Sequence, residues 1–158
     1  MRSIIVALAL MLPLSANAGV LEGREAISRG DYVEAMKQFK PVAEQGDAEA
    51  QELLGVIYRY GRGVKIDHVE AGKWFLMAAN QGNSEAQLYL GLMYQNGEGV
   101  QRDLATAHMW LTLSAQNPKT THRDSLYRQR DVRNLERRMS EEQIARAKEM
   151  AQSWKPSN

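Results

Sequence analysis

Residues 31–51 and 67–87 are one segment written twice, 36 positions apart. The step continues beyond them. Gln51, Leu54, Gly55, Tyr58, Gly61, Gly63, Val64, Asp67, Ala71 and Trp74 recur as Gln87, Leu90, Gly91, Tyr94, Gly97, Gly99, Val100, Asp103, Ala107 and Trp110. Agreement at one fixed offset over such a length defines a repeat array, in which each unit buries its apolar face against the next. Arrays of this kind present extended surfaces, so the repeat argues for recognition rather than chemistry.

Each unit reads as two helices. Across 48–60 the apolar or small positions are Ala50, Leu53, Leu54, Ile57 and Tyr58, the stripe of an amphipathic helix. The next copy places Ala86, Tyr89, Leu90, Met93 and Tyr94 at the same points. Gly55 and Gly91 fall inside that helix, where glycine costs ~1 kcal/mol relative to alanine. The sequence therefore predicts a close neighbour that a Cβ would obstruct. Gly61 and Gly97 follow the last turn and are placed to close it in the left-handed conformation. Asp31, Asp67 and Asp103 are placed to cap the second helices, with Glu34 and Glu70 spaced to complete capping boxes. Those helices carry Ala71, Trp74, Phe75 and Ala78, then Ala107, Trp110, Leu111 and Ser114, and Gly46 and Gly82 end the first two of them. Pro41 lies inside the first, where it should bend the helix or weaken its first turns.

Before the repeats, Val20 to Arg29 reads as a short helix closed by a turn at Gly30-Asp31-Tyr32. After Pro118 the repeat is lost. Residues 121–139 form a charged helix, and Ser140 with Gln143 begins a last one whose apolar face is Ile144, Ala147, Ala151 and Trp154. A terminal repeat needs a partner that covers one face and leaves a polar outside, and this pair suits that role. The expected fold is all-α, an α/α solenoid of helical hairpins with a C-terminal capping pair. Its expected units are 19–47, a partial repeat, then 48–83, 84–118 and the cap at 119–158.

The first 18 residues form a separate object. Arg2, an apolar run of 11 residues from Ile4 to Leu14 and the small residues of Ala16-Asn17-Ala18 have the pattern of a cleavable export signal. The run is too short to span a bilayer, which takes ~20 apolar residues. No cysteine occurs anywhere, so the fold has to hold in an oxidising compartment without disulfides, and none is expected. The chain has 20 basic and 19 acidic residues, a balance that pulls the whole molecule neither to nucleic acid nor to membrane. The expected location is the periplasm, with release to the outside as the alternative.

The pattern from Ala50 to Trp74, repeated from Ala86 to Trp110, resembles the Sel1-like repeat family, which is related to the tetratricopeptide repeats. With the partial first unit the resemblance covers about residues 30–117. Residues 130–154 also resemble the helical pair that closes many secreted bacterial members. The resemblance implies a protein–protein adaptor. Some relatives carry paired cysteines that staple each hairpin, and this chain has none. By that resemblance the adjoining face of the first helices lines an inner, concave surface. The candidate protein-binding residues are then Glu49, Glu52, Val56, Arg59 and Tyr60, with Glu85, Leu88, Leu92, Gln95 and Asn96 one repeat on. Leu88 and Leu92 are apolar but off the main stripe. They form either the floor of a groove or a surface covered by the helix beginning near Thr121. A groove with acids at Glu49, Glu52 and Glu85 would suit a peptide with basic and apolar side chains.

Catalytic readings find little support. The glycine pairs at 61–63 and 97–99 lack the Lys-Ser/Thr of a phosphate loop and recur with the repeat, so they read as turns. His68, His108 and His122 share no repeat position or helical spacing, and no metal, cofactor or catalytic residue is assigned. Paired carboxylates acting as a hydrolase cannot be read from spacing along a chain, so an envelope enzyme or an enzyme-regulating accessory protein stays open, as does a structural subunit of an envelope complex. Met36, Met77, Met93 and Met109 read as core. Residues 119–138 hold seven Lys/Arg against three acids, which reads either as a face for an anionic partner or as a solvated helix with internal pairs around Asp131 and Glu136.

Export predicts a mature N-terminus at Gly19. Intact-mass measurement of the protein from a periplasmic extract should show the loss of residues 1–18. Met1 retained in a membrane fraction would instead mean an uncleaved anchor.

Overall fold

The computed structural model describes residues 12–157. The apolar run expected to direct export lies largely outside these residues. Eight helices occupy the described chain, in the order α1 (Leu12–Ser28), α2 (Tyr32–Glu44), α3 (Ala48–Tyr60), α4 (His68–Asn80), α5 (Ser84–Asn96), α6 (Leu104–Gln116), α7 (His122–Glu136) and α8 (Glu141–Ser153). Each helix from α1 to α6 packs on the next, while α8 folds back onto α6. The fold is the expected all-α helical-repeat solenoid. No described helix is long and apolar enough to cross a membrane.

A single contact recurs inside each hairpin. A Cβ on Gly55 would lie 2.6 Å from the Phe75 ring, and one on Gly91 would lie 2.7 Å from Leu111. The mid-helix glycines thus let a large side chain of the paired helix lie against bare backbone, which offsets their poor helix propensity. Gly23 meets Phe39 in the same way. Residues 19–47 therefore contribute a hairpin, α1 against α2, with the same internal contact as the repeats. Its connection is shorter: 16 positions separate Gly23 from Phe39, against 20 for each later pair. The 36-residue offset breaks there, although the contact persists.

The ends of the elements follow local chemistry. Asp31, Asp67 and Asp103 each accept a backbone N–H in the first turn of α2, α4 and α6. The expected boxes at Asp31 and Asp67 are half-formed, because Glu34 turns to Lys37 and Gln38, and Glu70 to Lys73. The box at Ser140 and Gln143 is complete. Asp47 and Asn83 cap the first helices of the two repeats. Gly61 and Gly97 close α3 and α5 with φ of 64° and 75°. Pro41 sits in the last turn of α2 rather than its first turns; it leaves the Lys37 carbonyl without its helical donor, yet the helix runs on to Glu44. At the start of the chain α1 begins earlier than the sequence suggested and continues across the Ala18–Gly19 bond. Its residues in the first core cluster, Val20, Ala26 and Ile27, all follow that bond.

Each hairpin is tied to the next by its turn and by a buried glutamine. A Cβ on Gly63 would lie 3.1 Å from that of Tyr32, and Gly99 would meet the His68 backbone carbonyl one repeat later. The second glycine of each turn thus lets the loop rest on the start of the preceding hairpin's second helix. Gln51 and Gln87, both buried, donate to the Ala43 and Ala79 carbonyls at 2.9 and 3.2 Å, satisfying the carbonyl ends of α2 and α4.

The last repeat is closed by α7 and α8. Trp110 is 5% exposed, lies edge-on to Trp154 at 6.2 Å and shares its cluster with Met150 and Ala151 of α8. Arg128 of α7 is buried and donates to the Ser114 hydroxyl at 2.6 Å and the Ser84 carbonyl at 3.2 Å. His108 of α6 hydrogen-bonds Glu136 at 2.9 Å. That bond, with help from nearby Lys148, holds the Glu136 carboxyl below its usual range. Met93 and Met109 are buried and Met36 half-buried, as expected, but Met77 is exposed because α4 turns that side outward.

Gly97→Ala should cost ~1 kcal/mol, because the position has room for a Cβ but a left-handed backbone. Gly99→Ala should cost more, because its Cβ runs into main chain. Trp110→Ala should cost about 3–5 kcal/mol through the cavity it leaves. Urea unfolding of the three variants checks this order.

Candidate interaction surface

The odd-numbered helices share a face, and side chains bridge along it from one to the next. Arg24 of α1 reaches Glu49 of α3 at 2.5 Å. Arg59 of α3 lies over the Tyr89 ring of α5 at 5.4 Å. Glu85 of α5 pairs with Arg128 of α7. All ten candidate residues lie on α3 and α5, but they divide into distinct groups.

Glu49, Glu52 and Glu85 form the acidic end, with Glu49 and Glu85 in the first turns of α3 and α5 and Glu52 in the second turn of α3. Glu49 and Glu85 each have an arginine, and Glu52 between them has neither an ion pair nor a hydrogen bond among the described residues. Burial pushes the Glu52 carboxyl up to about 7, with the charges of Glu85 and Glu49 adding to the effect and Arg24 opposing it. Tyr89 is held above its ordinary range chiefly by burial, and its ring stacks on Phe75 at 4.9 Å.

Arg59 and Asn96 converge at the other end. Both bind Glu98 of the α5–α6 turn, at 2.9 and 2.8 Å. Arg59 is largely buried, one of its terminal nitrogens has no partner, and Tyr60 beside it is 49% exposed. Arg62 extends this end. Its guanidinium lies 5.3 Å from the Tyr32 ring and 5.6 Å from that of Tyr60, so arginines and tyrosines alternate from Tyr32 to Tyr89. Val56 is half-buried against the second core cluster.

Leu88 and Leu92 are half-buried against the third cluster, with Leu111 of α6 and Leu135 of α7. Each also lines a crevice between α5 and α7. The first includes Glu85, Tyr127 and Asp131, and the second includes Gln95, Asn134 and Arg138. The two leucines therefore both support α7 and border open space. Gln95 stands in the second crevice, apart from Arg59 and Asn96.

Arg24, Tyr89, Glu98 and Arg128 escaped the sequence reading. Tyr89 lay on the core stripe, and Glu98 was read only as part of a turn. Arg24 and Arg128 come from helices outside the two clear copies, so no repeat position pointed to them. The glycine turns act as turns and as contacts between hairpins. His108 ties α6 to α7, whereas His122 is exposed on α7.

The family model for the Sel1 repeat matches residues 48–83 and 84–118. The chain carries two Sel1 repeats within a Sel1-like repeat fold. A fold of this class is typically a non-catalytic scaffold for protein–protein interaction. No curated protein matches the chain. Among solved structures it is similar to a protective antigen of uropathogenic Escherichia coli strains that displays the same fold. The two share 29% identity with a TM-score of 0.78 over 88% of this chain and 29% of that one. It is also similar to a Sel1 repeat protein from Oxalobacter formigenes, at 26% identity and a TM-score of 0.59, over 74% of this chain and 54% of that one. The chain thus spans about a third to a half of the length of these relatives.

The position of Glu52 sets a pH dependence. Its folded-state pKa stands above the ordinary carboxylate value, so the folded state binds the proton more tightly than the unfolded one. The stability this group confers is present below about pH 4.5 and is lost as pH rises towards about 7. Glu52→Gln should therefore raise the melting temperature at neutral and alkaline pH and leave it nearly unchanged in acid. Thermal melts of both proteins across that range check the divergence.

Proposed function

We propose that this chain is a periplasmic adaptor that binds a partner protein along the face shared by α1, α3 and α5. Glu52 carries this reading. It is a half-buried carboxylate without a cation, set between two glutamates that have theirs. Val56, Leu88 and Leu92 leave apolar surface beside it, and Tyr60 and Tyr89 add aromatic surface. A partner segment that places a lysine or arginine against Glu52 and apolar side chains along α5 would satisfy both features. The family's typical role as an interaction scaffold supports the reading, as does the export pattern of residues 1–18. The reading also implies that the protein has no catalytic activity of its own.

Photo-crosslinkers placed at Tyr60 and Gln95 should capture one and the same partner in cells, whereas crosslinkers at Lys73 and Met77 on α4 should not. Equal capture from both faces would count against the shared face as the site. Leu88→Asp with Leu92→Asp should also abolish capture, but these leucines support α7, so helicity and melting must be read alongside. If the double variant unfolds, the Tyr60 and Gln95 crosslinks decide.

A further inference from the structure

The charged helix α7 divides its ionic side chains sharply. Its three acids are all turned towards the array. Asp124 closes the first turn against Thr121, Glu136 meets His108 and Lys148, and Asp131 lines the crevices against α5. Arg128 is buried. The other five arginines at the α7 end, Arg123, Arg130, Arg133, Arg137 and Arg138, are exposed, and among the described residues none has an ion pair. The internal pairs that would make this an ordinary solvated helix are not formed.

At ~100° per residue Arg123, Arg130, Arg133 and the cap residue Arg137 fall within an arc of about 80° that contains no carboxylate, and Arg138 follows in the turn beyond. Arg123 to Arg137 extend along about 21 Å. Leu126 lies in the same arc and Tyr127 at its α5 side, each 52% exposed. The chain as a whole is nearly balanced at +1, so this face is a local excess rather than a reflection of overall charge. The crevices that border α7 lie at its sides, against α5 and α6. The ridge of Arg123, Leu126, Arg130 and Arg137 borders none of them.

We propose that this face of α7 docks the protein onto an anionic phospholipid surface. A convex ridge of guanidinium groups without a recognition pocket matches a delocalised layer of phosphates. Each guanidinium can bind a phosphate in bidentate fashion. Leu126 on the ridge, with Tyr127 beside it, suits the boundary between headgroups and acyl chains. The association is peripheral and electrostatic, so it weakens as salt rises.

The test is co-sedimentation of the full chain with vesicles of phosphatidylglycerol and phosphatidylethanolamine, and with vesicles of phosphatidylcholine alone. Binding should favour the anionic vesicles and fall with added salt. Arg130→Glu with Arg137→Glu should lower it about tenfold or more, with unchanged helicity. Arg29→Glu with Lys40→Glu makes the same change of net charge away from α7 and should leave binding intact. The proposal is overturned by absent binding, equal binding to both vesicle types, indifference to the α7 substitutions or equal loss in the control. Capture of an acidic protein through the same arginines, without vesicle binding, would assign the face to a protein instead.

Discussion

The contact between a glycine backbone and a bulky apolar side chain is what the rest of the array depends on. Gly23 against Phe39, Gly55 against Phe75 and Gly91 against Leu111 bring the two helices of each hairpin to close range. In the two full repeats the connection between these helices brings its second glycine against the preceding hairpin. Glu52 and Arg59 sit one turn either side of Gly55 on α3, so the same close approach also positions the side that adjoins the core. A side chain at any of the three glycines would push the helices apart and disturb the shared face as well as the core.

The sequence made the repeats legible because their contacts lie at fixed offsets. The bounds of α3, the caps at Asp67 and Asp103 and the left-handed closures at Gly61 and Gly97 are local, and local spacing revealed them. The first hairpin was only half legible. Its packing contact matches the others, but a connection four residues shorter moves Gly23 out of register with Gly55. The full length of α1 was hidden for another reason, since residues 12–18 also carry the pattern of an export signal.

The surface was less legible than the core. Composition identified the ten residues on α3 and α5 as lying off the buried stripe, but their grouping depends on neighbours. Glu49 and Glu85 look alike at their repeat positions, yet their cations come from opposite ends of the array. Glu52 becomes distinctive only because neither arginine serves it. The charges of α7 were counted correctly, while their division between a buried face and an open one required the packing of α7 against α5 and α6. If the face of α3 and α5 receives a protein and that of α7 meets phospholipid, a single rigid array would hold its partner close to a membrane.

The junctions between hairpins have an evolutionary consequence. Asp47 and Asn83 cap equivalent helices, Gln51 and Gln87 tie back to equivalent carbonyls, and Gly63 and Gly99 rest on equivalent main chain. A tandem duplication of residues 47–82 would regenerate both of its own boundaries and require no new kind of contact. Selection can therefore lengthen such a protein in whole units, with the terminal helices unchanged.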